Sequence, residues 1–459
     1  MHRSLILLLL LFMAGSLAAQ QSNKSKSKDR YREKDQPSRQ EVATSVDRYG
    51  VLRAHAEQQL RPVVFTVSDV LLRDGLSGPA ASRVLAYSLL AGYETTARYQ
   101  SRVSSLHDAL RGMPMMLSFT PGDSVFYPYA SLFAILEAGR QLAPSGYLIA
   151  SNQNMLQQYF RQQGLQEAYI RHSETAARDI ARLVVDYANA DGSARLASYP
   201  PYPTESAPER WAPPGNLAPQ DPYWSYLRPF FLETAQQFAS ASPVPAALQA
   251  DSPFAGLARE VYDQSRSLVP EQTAVAQFWA GDPAAYPQAG LGRLTPAAHW
   301  LNIGGLLCAQ QKLSFIQSLK VQTILALTLA DAEIACWSDK YRQQRIRPQA
   351  AINRLFDPNW RPVLAEPAYP AGLSQQAVLG AAAAELLTRM LGDNLPLTDN
   401  TEQAYGVNPR QYPSVRIAAE EAAWSRLFAG LQFRDGILAG QDTGRKVANW
   451  ALSKWPAGL

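Results

Sequence analysis

Lys340, Arg347 and Pro348 stand in the run Lys-Tyr-Arg-Gln-Gln-Arg-Ile-Arg-Pro, a lysine and an arginine at fixed spacing ahead of a proline. A lysine that ends one helix and an arginine that precedes the next can converge on one anion, and the positive end of the second helix adds to their pull. The loop also carries Arg342 and Arg345, so a solvated basic turn is the competing reading. Downstream, Pro370-Ala371-Gly372-Leu373 leads into a helix-compatible run, and a glycine at such a turn lets backbone amides approach an anion closely. A third stretch holds Ser425, Arg426, Gly430, Gln432, Asp435 and Gly436. Cations and a glycine turn together would form an oxyanion cradle, whose chemistry is electrostatic stabilisation rather than attack.

Groups able to attack or to exchange a proton are scarce around these stretches. Past the first residues the histidines are His55, His107, His172 and His299, all distant in sequence. His299, beside Trp300, reads as a packed or capping residue. Asp435, Glu366 and Tyr369 are near enough to approach the cradle, where a carboxylate would act as an internal counter-ion. Asp331, Glu333 and Asp339 are the acids that buried arginines would pair with. Cys308 and Cys336 either bridge or remain two buried thiols, and two cysteines alone do not make a metal site.

The elements that must position these residues read as helices. The chain has 459 residues, 47% of them hydrophobic, and a formal charge of +4, so it can bury a large core and does not present a general nucleic-acid surface. Residues 1–20 have the basic start, apolar run and small residues of a secretory signal peptide, which predicts export to the periplasm or medium. Residues 21–43 read as a charged, flexible tether. From residue 44 to 459, helix-compatible runs recur at Ala80–Gln100, Ala130–Leu142, Met155–Asn189, Pro229–Ala239 and Ala297–Lys340, with a second helix from Gln349 to Leu355. Strand patterns are scarce, which predicts an all-α domain with an N-terminal half over 44–290 and a C-terminal half over 291–459. No later stretch is apolar enough to span a membrane. The proline-rich connection Ser198–Tyr223 is a candidate rim or lid.

Taken in order, the three stretches resemble the signatures of the vanadium-dependent haloperoxidases and the type 2 phosphatidic acid phosphatases: Lys-x6-Arg-Pro, Pro-Ser-Gly-His and Ser-Arg-x3-Gly-x-His-x3-Asp. Lys340, Arg347 and Pro348 match the first in full. The second keeps Pro370 and Gly372 but has Ala371 for serine and Leu373 for histidine. The third keeps Ser425, Arg426 and Gly430, has Gln432 at the histidine position and Gly436 at the aspartate position, with Asp435 one place early. Thr295-Pro-Ala-Ala-His299-Trp300-Leu-Asn and Tyr369 are similar to the bacterial haloperoxidase-related group.

This resemblance implies a helical bundle of the haloperoxidase and acid phosphatase type. It implies that Lys340, Arg347, Gly372 and Arg426 form an anion cradle, and that Ala371, Leu373 and Gln432 are vestigial catalytic positions. Glutamine neither bonds vanadium stably nor attacks phosphorus at neutral pH, and leucine cannot exchange a proton. The expectation is therefore a pseudoenzyme, a non-catalytic binding or structural protein. No cofactor is expected; vanadate or phosphate would bind without a covalent histidine ligand. Expected partners are a small oxyanion or another protein, and not nucleic acid. The rival readings are a dedicated phosphate-type anion binder and an enzyme of the same fold with altered chemistry.

Overall fold

The computed structural model describes residues 39–115, 124–204, 207–241, 243–281 and 293–456. The stretch read as a signal peptide, 1–20, and most of the stretch read as a tether lie outside these residues, and helix α1 (Arg39–Arg73) begins within the latter. Helix α2 (Gly78–Tyr99) starts at Ser77, whose hydroxyl accepts from the Ala80 amide, with Pro79 in the first turn where a missing N–H costs nothing. It packs against α3 (Tyr127–Leu142), which in turn packs on α4 (Tyr147–Gln162) and α5 (Glu167–Asn189). A single turn, α6 (Ser193–Leu196), precedes an irregular stretch that runs to α7 (Pro253–Arg266) and α8 (Pro270–Phe278).

The second group of helices carries the motifs. Helices α9 (Pro296–Gln310) and α10 (Phe315–Gln343) are followed by α11 (Pro348–Leu355) and α12 (Gln375–Leu391). Ser314 and Gln317 form a reciprocal capping box at the start of α10, and Gln344, left-handed at φ 47°, ends it. A small antiparallel ribbon, β1 (Leu397–Asp399) with β2 (Arg410–Tyr412), pairs Leu397 with Tyr412. Helices α13 (Val415–Phe428) and α14 (Arg434–Lys454) close the chain. Gly440 and Gly444 let α14 lie close on α12: a Cβ at Gly444 would stand 2.1 Å from the Val378 carbonyl oxygen.

The all-α expectation holds, and one continuous core draws residues from Leu52 in α1 to Trp455 after α14. Among the described residues no helix is long and apolar enough to cross a membrane. Three expected helices differ in extent. Met155–Asn189 is two helices, because Gly164 turns the chain at φ 89°. Ala297–Lys340 is also two, broken where Lys312 is left-handed at φ 52°. Pro229–Ala239 is not helical; the amides of Phe230, Phe231 and Leu232 all donate to the buried Asp331 carboxylate, which holds that segment open. Cys308 and Cys336 are both free and buried, and burial pushes each thiol up to about 12.

Candidate functional site

The end of α10 and the start of α11 bring Lys340 and Arg347 to one pocket. Arg426 near the end of α13 and Gln432 in the α13–α14 turn reach the same pocket. Tyr369 and Ser374, ahead of α12, complete its polar wall. Its cavity volume is about 20 Å³, with further space open toward the mouth. The local causes are visible in the sequence: Pro348 occupies the first turn of α11, so Arg347 must precede the helix in extended geometry, φ −86° and ψ 158°.

Lys340 is buried, and its ammonium donates to the carbonyls of Pro370 at 3.3 Å, Ala371 at 2.8 Å and Leu373 at 2.6 Å. Burial pushes it down to about 8, while the three carbonyls favour the protonated form. Arg347 donates Nε to the Tyr369 carbonyl at 2.5 Å and Nη1 to the Leu431 carbonyl at 3.2 Å, and its guanidinium lies 4.6 Å from the Tyr369 ring centre. Its Nη2 is buried with no hydrogen-bond partner. Arg426 donates to the Trp279 carbonyl and to the Ser425 hydroxyl.

Gly372 does not line the pocket itself. It sits beneath it with φ 42°, where a Cβ would stand 2.9 Å from the Lys340 Cα. Gln432 donates its side-chain amide to the carbonyls of Ala371 and Gly372. Ala371 is buried and its amide donates to the Arg345 carbonyl; the Leu373 side chain belongs to the core.

The acids fall elsewhere than expected. Asp435 pairs with Arg345 at 2.7 Å and accepts the Gly436 amide, so it is not the counter-ion of the three cations; Arg345, buried on the same side, claims it. Asp331 takes three backbone amides and Glu333 takes the Gln375 side chain. Asp339 pairs with Arg342. None of these three acids makes an ion pair with Arg347 or Arg426 among the described residues. Burial raises the Glu366 carboxyl, and the charge of Arg347 opposes that shift. The loop Ser198–Tyr223 contributes nothing to the pocket lining among its described residues; it is pinned alongside by Gln220 donating to Ala368 and Trp211 to Gln344.

Ser374, Gln375 and Gln376 line the pocket and were not singled out from sequence. Ser374 directly precedes α12, the capping position that a serine before a helical run signals, yet its hydroxyl is buried without a partner. Gln376 donates to the Trp279 carbonyl, and its Oε1 is buried without a partner.

Among the described residues no imidazole lines the pocket. His55 bonds Tyr159, His107 lies beside Asp108, and His172 is exposed on α5. His299 is buried, 2.7 Å from Asp399, and stacks on Trp279 with ring centres 4.8 Å apart. Burial alone would lower its pKa, but Asp399 and Glu402 raise it. Among the described residues, the side-chain donors left for a ligand are the Arg347 Nη2, the Ser374 hydroxyl and Arg426. This set suits a tetrahedral oxyanion held by hydrogen bonds. It does not suit vanadate bonded to an imidazole, because Gln432 stands there with its amide turned onto backbone carbonyls.

Residues 320–456 match the family model of the second helical-bundle domain of vanadium chloroperoxidase. The structure described as the first bacterial vanadium-dependent iodoperoxidase is similar, with 30% identity, a TM-score of 0.82, and coverage of 87% of this chain and 97% of that one. A holo-type bacterial vanadium-dependent chloroperoxidase shares the fold at 15% identity and a TM-score of 0.62, over 83% of this chain and 92% of its own. Its apo-type counterpart does so at 14% and 0.59, over 81% and 92%. No curated protein sequence matches the chain.

Proposed function

Because the chain belongs to the vanadium haloperoxidase superfamily, we propose that it is a non-catalytic member whose pocket holds a small oxyanion reversibly. The observation that carries this reading is the Arg347 Nη2, buried at the pocket without a partner while Nε and Nη1 are tied to backbone carbonyls. A buried charged donor left unsatisfied is costly, and an anion would satisfy it. Arg426 and the Ser374 hydroxyl supply further donors on the same wall.

The reading excludes family catalysis on chemical grounds. Neither Gln432 nor Leu373 can attack or shuttle protons, and Lys340, the lining residue whose pKa burial lowers, has its ammonium donating to three backbone carbonyls rather than facing the Ser374 hydroxyl. The signal-like sequence at residues 1–20 supports export, which would place the pocket in the periplasm or medium.

Calorimetric titration with phosphate and orthovanadate tests the proposal. Saturable binding that is lost in the Arg347→Ala, Arg426→Ala variant supports an anion binder. Vanadate-dependent oxidation of iodide by peroxide, abolished in the same variant, would overturn the non-catalytic reading. Absence of any binding would favour a structural protein, for which the carbonyl-bound Lys340 is the supporting observation.

A further inference from the structure

A second pocket, sharing no lining residue with the first, opens between the end of α5, the turn α6 and the segment after the 3-10 turn Trp224–Tyr226. Its cavity volume is about 460 Å³, within the range that takes a small organic molecule. Two features of its wall are unusual together: an excess of arginine and an exposed aromatic platform.

Arg111, Arg195 and Arg228 line the pocket, and Asp191 is its one acidic lining residue. That carboxylate is already taken up: Oδ2 accepts from Arg83 at 2.6 Å and from the Tyr87 hydroxyl, and Oδ1 accepts the Ser193 amide. Two of the arginines are fixed parts of the wall. Arg228 donates to the carbonyls of Ala190 and Tyr187 and lies 3.7 Å from the Tyr187 ring centre, and its Nε is buried with no partner. Arg111 donates to the carbonyls of Leu232 and Glu233. Arg195 differs: it is exposed, and its guanidinium has no partner among the described residues. Asp331, behind the wall, faces Arg111, so the pocket keeps an excess of positive charge with the exposed guanidinium of Arg195 at its rim.

Tyr226 is 61% exposed and Tyr199 is 37% exposed, yet neither is loose. Their ring centres are 5.4 Å apart, edge to face, and Tyr223 lies 5.7 Å from Tyr226 and 4.8 Å from Tyr199. Tyr223 is itself anchored by donating to the Pro200 carbonyl at 2.9 Å. Exposed aromatic rings held in place by one another offer a preformed face for a flat apolar group, at little entropic cost.

We propose that this pocket binds a small planar organic anion, an aromatic carboxylate, with its ring on Tyr226 and Tyr199 and its carboxylate on Arg195. Guanidinium supplies the bidentate donor pair that a carboxylate fits, and the tyrosine face selects the ring. An inorganic oxyanion would satisfy the arginine but gain nothing from the platform. An uncharged aromatic would do the reverse.

The test is calorimetric titration of the full chain with benzoate, with benzamide and inorganic phosphate as comparison probes. Saturable benzoate binding is expected, at least about fivefold tighter than either comparison probe, and weakened about five- to tenfold in Arg195→Ala and in Tyr226→Ala. Both substituted side chains are exposed, and matching thermal melts confirm that the variants remain folded. Binding unchanged in the Arg347→Ala, Arg426→Ala variant would separate this pocket from the first; loss there would overturn the assignment. So would benzoate binding that neither Arg195→Ala nor Tyr226→Ala weakens, or no benzoate binding at all.

Discussion

The Gln432 side-chain amide donates to the Gly372 carbonyl oxygen at 2.5 Å, tying the third sequence stretch to the second. The contact depends on a bare Gly436, since a Cβ there would stand 2.5 Å from both the Gln432 Nε2 and the Gly372 oxygen. With the Lys340 ammonium on the carbonyls of residues 370, 371 and 373, the loop beneath the pocket is held from two sides by its own chain. Side chains at positions that resemble catalytic ones thus organise backbone here.

Gln432→Leu is expected to remove both amide donations while leaving the Ala371 and Gly372 carbonyls buried. The cost should be about 1–3 kcal/mol, read as a lower urea midpoint at unchanged slope. Gln432→His alone is expected to show no vanadate-dependent peroxidase turnover, because Leu373 still offers no proton carrier. Turnover in that single variant would show that the remaining wall suffices.

Lys340 makes stability depend on alkaline pH. Its folded pKa is about 8, below the ordinary 10.5, so the unfolded chain binds more protons between those values. Stability from this residue therefore rises as pH goes from about 8 to about 10.5, by about 3 kcal/mol at most, and the penalty for burying the ammonium is fully present below pH 8. Urea midpoints of the wild type and Lys340→Met at pH 7.5 and 9.5 check this. The wild type should gain relative to the variant at the higher pH.

How far the sequence could be read depends on the kind of signal each residue leaves. Pro348 and Gly372 restrict or free the backbone locally, so the turn from α10 into α11 and the glycine loop were legible, and three cations at family spacing do reach one pocket. Ser374 was not legible as a pocket residue, because its place ahead of α12 reads as an ordinary cap, and only the tertiary packing shows its hydroxyl unpartnered. Asp435 read as one of the acids near enough to fill the cradle as a counter-ion, and sequence proximity does not tell that it pairs with Arg345 instead, while Arg347 takes backbone carbonyls. The Pro229–Ala239 stretch had helical composition, and the distant carboxylate of Asp331 overrode it. The aromatic pocket left no motif at all, since its residues come together from the segment between α2 and α3, the turn after α5, α6 and a long irregular stretch.

Gly372→Ala is expected to destabilise by about 1–3 kcal/mol. The position has φ 42°, which a side chain tolerates poorly, and the new Cβ would meet the Lys340 Cα at 2.9 Å, backbone that cannot swing aside. Thermal melting of the variant checks it. An unchanged melting temperature would mean that the loop adopts another conformation without cost.

His299 and Asp399 form a buried pair away from the pocket lining, joined to it through Trp279, whose ring stacks on His299 and whose carbonyl accepts from Arg426 and Gln376. The pKa of His299 is raised above its ordinary 6.5, so its contribution is fully present below that value and is lost as pH rises through the folded pKa. The pKa of Asp399 is depressed below its ordinary 3.8, so its contribution is present above that value and is lost as pH falls through the folded pKa. The pair should therefore stabilise most between 3.8 and 6.5, with Arg61, Arg293 and Glu402 facing it; burial raises the pKa of Glu402 above its ordinary 4.5, so its charge is not complete at the acid end of that window. His299→Ala strands the Asp399 carboxylate and should cost about 3–5 kcal/mol. Urea midpoints at pH 5.5 and 8.5 distinguish this from simple loss of packing: the wild type should lose stability at the higher pH, and the variant should lose less. Equal losses in both would mean that the imidazole is neutral in the fold and only fills space beneath Trp279.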